Sequence, residues 1–169
     1  MFFRLQGMLM VSKIPQGRQT WYICFMPLTG KKYLGWRYYK FLIMRFFWQR
    51  KTKDFRDFCH TLAIIKHNDV SHTMISQTPW GIWVEYIEIE TDNLIKDLLD
   101  TNCNSLVEFQ SNIRVDMSKK WAFKRISLCH DLVVNLLGLT GYIKKSKVRV
   151  PYNLYKLLLK NGGKEIIKY

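Results

Sequence analysis

The chain reads best outward from Trp121–Gly138, WAFKRISLCHDLVVNLLG. A basic, aromatic lead-in runs into Ser127, then Cys129, then an apolar run closed by glycine. Leu128, Leu132, Val133, Leu136 and Leu137 recur at helical spacing, which predicts a helix with one buried face. Ser127 is the expected N-cap and Gly138 the expected C′ stop, so Cys129 falls in the first turn. Unpaired N–H groups and the dipole at a helix start favour a thiolate over a thiol. Cys129 is therefore a candidate nucleophile.

Upstream of this helix the pattern is that of a sheet. His60–Lys66 is a continuous apolar run closed by His67-Asn68-Asp69, and Ser71–Pro79 follows as a second strand ended by its proline. Gly81–Glu90, GIWVEYIEIE, alternates apolar and polar residues, the mark of a half-exposed strand. Short turns between the three predict an antiparallel meander. TDNLIKDLLDTN (91–102) is a helix capped by Thr91 or Asp92, with Leu94, Ile95, Leu98 and Leu99 on one face. Ser105–Gln110 and Ile113–Val115 are short strand candidates. Beyond the Cys129 helix, a basic turn with Gly141 and Lys144–Lys147 leads to a closing helix, with Pro151 near its start and Gly162-Gly163 at its end.

Towards the N-terminus, residues 1–20 carry Pro15 and Gly17 with little periodicity, which predicts a loosely structured start. Trp21–Leu28 is a short strand ended by Pro27 and the Thr29-Gly30 turn. Tyr33–Lys51 is aromatic and basic with an ambiguous period. As a helix it scatters Arg37, Lys40, Arg45 and Arg50 around the circumference, which is not the pattern of a clean membrane-surface helix. Apolar packing with snorkelling cations explains it more simply.

The whole is expected to be α+β: a small antiparallel sheet with the Cys129 helix packed across it. One domain of 169 residues can bury a core unaided, with 1–50 as a basic aromatic part and 51–169 as the core. Cys24, Cys59, Cys103 and Cys129 form no CxxC pair, which implies free thiols in a reducing compartment. The opening MFFRLQGMLMVSKIP is too interrupted for a signal peptide, and no run reaches the roughly 18 apolar residues of a span. The net charge of +14 is uneven: residues 1–53 hold 11 Lys/Arg and no acid, 54–118 carry a net −7, and 119–169 a net +10. Cationic ends around an acidic middle fit either attraction within one fold or a surface for nucleic acid, anionic lipid or an acidic polymer.

A cysteine nucleophile needs a base within hydrogen-bond reach and a third group to orient that base. His130 is adjacent in sequence but points about 100° away on a helix. His67 and His72 flank a turn and are expected to face solvent. His60 opens a buried strand, where its ring could face a helix packed on the sheet, and Gln77 on the next strand could orient it. On residue types alone the triad is a weak signal, since a buried-strand histidine is more often a satisfied core residue and a helix cysteine usually a small hydrophobe. Two Cys-His pairs, Cys59-His60 and Cys129-His130, lack the usual spacing of zinc ligands. Glu88 and Glu90 read as a solvated strand face, Glu85 lies on the other face, and no phosphate-binding glycine loop is present.

A histidine opening a strand, a polar residue on the next and a cysteine opening a later helix resemble the circularly permuted papain-like hydrolases. These include the permuted NlpC-type and lecithin–retinol-acyltransferase-like proteins, in which His precedes Cys. FRDFCH (55–60), Cys129–Gly138 and VPYNLYKLL (150–158) resemble small phage-encoded members. The resemblance spans roughly residues 50–160. It implies Cys129 as nucleophile, His60 as general base and Gln77 as third residue, with no metal or cofactor required. It further implies a peptide, cell-wall or acyl substrate, and a place in the host cytoplasm or the virion. The competing reading is an inactive virion-structural or nucleic-acid-binding protein on the same fold. In it Trp36, Tyr38, Tyr39 and Trp48, interleaved with Arg37, Lys40 and Arg45, stack on bases and neutralise phosphates.

Overall fold

The structure, a computed structural model, describes residues 19–27, 36–53, 56–78, 81–101, 103–111, 129–139 and 151–166. In chain order the elements are β1 (Gln19–Met26), α1 (Trp36–Thr52), β2 (His60–Lys66), β3 (Ser71–Thr78), β4 (Gly81–Glu88), α2 (Thr91–Thr101), β5 (Ser105–Ser111), α3 (Cys129–Leu139), α4 (Pro151–Lys160) and β6 (Lys164–Ile166). The fold is α+β, built on a six-stranded sheet ordered β4-β3-β2-β1-β5-β6 with antiparallel neighbours throughout.

The expected meander is β2-β3-β4. It extends through β1, which pairs with both β2 and β5: Trp21 lies opposite Ile65 on one side and Phe109 on the other. Side chains alternate across a strand, and both faces of this sheet are covered. Trp21, Ile23, Phe25, Ala63, Ile65 and Ile75 meet Leu132, Val133 and Leu136 of α3 and Tyr152, Leu154 and Leu158 of α4. Tyr22, Cys24, Leu62, Ile64 and Leu106 meet Leu94 of α2 on the opposite face, with Ile95, Leu98 and Leu99 alongside. Double coverage explains why β1 and β2 read as unbroken apolar runs, whereas β4 at the edge alternates.

Several boundaries differ from the sequence reading. Gly138 does not stop α3, which runs on to Leu139; the expected cap Ser127 lies outside the described residues, as do Leu128, Ile113–Val115, the Gly141 turn and residues 1–18. Thr91 opens α2 but does not cap it with its hydroxyl, which donates to Asp69 O at 3.0 Å instead. β6 has no counterpart in the sequence reading. It follows the α4 stop, where Gly162 takes φ 90° and Gly163 N donates to Leu158 O at 3.0 Å.

β6 and α4 are tied to the segment leading into β2 by a polar cluster. Glu165 accepts from Arg56, from Ser105 Oγ at 2.6 Å and from Tyr155 OH at 2.7 Å. Arg56 also donates to Tyr155 OH at 3.0 Å and lies over the Phe58 and Tyr155 rings. α1 is held to α4 by Trp48, which stacks on Tyr152 with centroids 4.8 Å apart, and Lys156 Nζ caps the same indole at 4.6 Å.

Candidate functional site

Cys129 opens α3 as expected, and α3 packs its apolar side on β2 and β3. The thiol donates to Cys59 O at 3.7 Å, beside the start of β2. Burial pushes its pKa up. Hydrogen bonds from Thr61 and from the backbone N–H groups of the first turn pull the other way without overcoming burial. The helix start supplies the pull that favours a thiolate, and desolvation outweighs it.

His60 does not share this side of the sheet. It lies opposite Met26, next to the pair Cys24–Leu62, and all of these point towards α2. Its Nε2 lies 2.9 Å from Ser76 Oγ, and Ser76 faces the same way as Met74. Burial lowers the His60 pKa. Thr61, one residue on, faces α3 and stands beside the thiol where a base would have to stand. Gln77 follows Ser76 and therefore shares the α3 side with Ile75. The structure thus places Cys129 and Gln77 on one face and His60 on the other.

The other histidines do not supply the missing base. His67 closes β2 on Thr73 Oγ1 at 2.6 Å, and at 3.3 Å per residue it lies about 20 Å along the strand from Thr61. His72 was expected in solvent and is fully buried instead. Its position on β3 turns it towards α2, where Nε2 meets Thr91 Oγ1 at 3.1 Å. Since that hydroxyl already donates to Asp69 O, His72 must be the donor, so its proton sits on Nε2. His130 is buried beside Asp131, 3.8 Å from its carboxylate. Among the described residues no three of His, Cys, Asp and Glu stand together as a metal site.

The four cysteines are free thiols that come together two by two. Cys59 neighbours Cys129, and burial with the nearby Cys129 charge pushes its pKa up to about 12. Cys24 donates to Cys103, which raises the first thiol and lowers the second.

The second candidate surface is α1. Of the residues read as nucleic-acid contacts, Trp48 is taken up against Tyr152, and Arg45 turns to Asp57, with Nη1 3.3 Å from Oδ2. The side chains of Trp36, Arg37, Tyr38 and Lys40 lie outside the described residues. Tyr39 is exposed, and it opens a stripe that the sequence reading missed. Tyr39, Ile43, Phe46 and Phe47 are between 56% and 68% exposed, with Met44 on the flank. Positions 39, 43, 46, 47 and 50 recur at helical spacing, so the stripe continues into Arg50, joined by exposed Lys51 and Lys53. Phe46, Gln49, Arg50 and Lys53 line a shallow cleft of about 240 Å³ at its end. Lys53 sits at φ 58° with its N–H on Gln49 O at 2.8 Å, a left-handed helix cap without glycine. The inward positions, Arg45 and Trp48, form the opposite side. The missed signal was this 3–4 spacing once Arg45 and Trp48 are assigned inward.

Comparison with protein families, with characterised proteins and with solved structures gives no match.

Proposed function

We propose that this protein is a binding module, not a cysteine hydrolase, and that α1 is its working surface, presented to a polyanionic partner. The observation that carries this reading is the outward side of α1, where exposed aromatic and aliphatic residues run into Arg50, Lys51 and Lys53. Large exposed apolar stripes on a soluble domain mark interaction sites. Among the described residues of α1 every charged side chain beside the stripe is a cation, which selects a partner of negative charge.

The permuted papain-like scaffold is kept as part of this proposal. A cysteine opening a helix that packs on an antiparallel sheet, close to the start of the histidine strand, supports it. On that scaffold the chain is a non-catalytic member, because the His60 ring and the Cys129 thiol lie on opposite faces. Cleavage of peptides, cell-wall amides or acyl esters would need β2 moved by one residue, so that His60 took the place of Thr61.

The test is retention of the intact protein on immobilised heparin against a salt gradient. Cys129→Ala is expected to elute with wild type. Arg50→Gln with Lys51→Gln is expected to elute at lower salt than Lys96→Gln with Lys164→Gln, which removes the same charge from exposed positions elsewhere. Equal elution of the two double variants would overturn the assignment to α1.

A further inference from the structure

The outward side of α1 is not uniformly suited to every polyanion. Single-stranded nucleic acid wants flat rings on which successive bases stack. Here the centre of the stripe is Ile43, a branched aliphatic residue, with Met44 beside it. The two phenylalanines pack edge to face, with centroids 5.8 Å apart and planes at 73°, so they offer no continuous platform. Phe46 is also covered in part by Arg50, whose guanidinium carbon lies 6.0 Å from its centroid.

The same features suit a lipid interface. An interfacial helix lies flat, with its apolar side sunk into the headgroup–acyl boundary and its cations at phosphate level. α1 has 17 residues, about 25 Å of helix. No helix among the described residues is long and apolar enough to cross a membrane. Its inner side is anchored to the body through Trp48–Tyr152 and Arg45–Asp57, which leaves the stripe outward. Arg50, Lys51 and Lys53 cluster at the C-terminal end, where the helix dipole also favours cations.

We infer that the partner of this face is an anionic lipid surface, on which α1 lies with Tyr39, Ile43, Phe46 and Phe47 inserted and Arg50, Lys51 and Lys53 on the lipid phosphates. The inference rests on the reading of α1 as the working surface and names its partner. Insertion supplies the apolar contribution, and the cations make attachment depend on anionic headgroups. Each cation near such a surface is worth about fivefold in affinity.

The experiment is co-sedimentation of the full chain with vesicles of phosphatidylcholine alone or mixed with phosphatidylserine, beside titration of a fluorescent single-stranded oligonucleotide. Two variants accompany wild type: Phe46→Ser with Phe47→Ser, and Arg50→Gln with Lys51→Gln. All four side chains are exposed, so melting temperatures should match wild type. The expected result is binding to the phosphatidylserine vesicles only, weakened roughly 25-fold by loss of the two cations and lost with the two phenylalanines. Oligonucleotide binding without vesicle binding, weakened by the cation variant, would overturn the lipid assignment and leave the α1 reading standing. Binding to neither, or vesicle binding indifferent to both variants, would overturn the lipid assignment and the α1 reading together.

Discussion

The separation of His60 from Cys129 makes a prediction about thiol reactivity. The perturbation is His60→Gln, which keeps a polar partner for Ser76 while removing the imidazole. Were the two groups a dyad, an imidazolium about 4 Å from the thiolate would contribute about 4 kcal/mol at an effective dielectric near 20, or about 3 pH units. Removing it would then raise the thiol's titration by that amount. In this fold the sheet lies between them, and burial holds the His60 pKa down, so the ring is neutral at the alkaline pH where a buried thiol ionises. A neutral ring exerts no charge on the thiol. The midpoint of Cys129 should therefore stay within roughly 0.3 pH unit of wild type, about 0.4 kcal/mol.

The assay is iodoacetamide labelling from pH 5 to pH 10, read site by site by peptide mass spectrometry. Cys103, whose thiol is lowered, should label first; Cys129 and Cys59, both pushed up by burial, should follow only at alkaline pH. Full labelling of Cys129 near pH 6 in wild type, shifted upward by two or more units in His60→Gln, would refute the geometry argued above. It would restore the hydrolase.

Two further outcomes concern stability. A Cβ on Gly163 would stand 2.9 Å from both Leu158 O and Val107 Cγ1, and the carbonyl cannot swing aside because it accepts the Gly163 N–H. Gly163→Ala should cost about 1–3 kcal/mol, seen as a lower urea midpoint at unchanged slope. Burial pushes the Glu165 carboxyl up, but hydrogen bonds from Ser105, Tyr155 and Arg56, with the Arg56 charge, hold it below the usual range. A depressed native pKa stabilises fully above the unfolded value, about 4.3, and is lost as pH falls through the native value. Glu165→Gln should thus cost about 2 kcal/mol at pH 7, and the difference should shrink towards zero on acidification below pH ~4, measured by urea unfolding across pH.

Much of the fold was legible because period-two and helical patterns are strong where one face is wet. β4 and α2 are of that kind, and both lie within two residues of their expected bounds. α1 was not, because large aromatic residues stand on both sides of it: Trp48 inward against Tyr152, Phe46 and Phe47 outward. The tertiary contacts of Trp48 with Tyr152 and of Arg45 with Asp57 show which side is which. The candidate triad failed on a finer point. A strand reverses face with every residue, so placing His60 on β2 was correct while its direction depended on register against β1 and β3. The cysteine's position at a helix start was readable. Its burial, which decides its protonation, was not.

The place of β1 in the sheet has a consequence for how the chain acquires its structure. Gln19 pairs with Ser111 and Met26 with His60, so one early segment must wait for two later ones. During synthesis the β2-β3-β4 hairpins can close locally within about thirty residues. β1 gains its second neighbour only after β5 has emerged, at a sequence separation that makes closure slow. Until then this largely apolar strand has an open edge, a template for pairing with other nascent chains. Misassembly in this protein should therefore begin with chains that stall before residue 105. Refolding yield should fall with protein concentration long before native stability is in question.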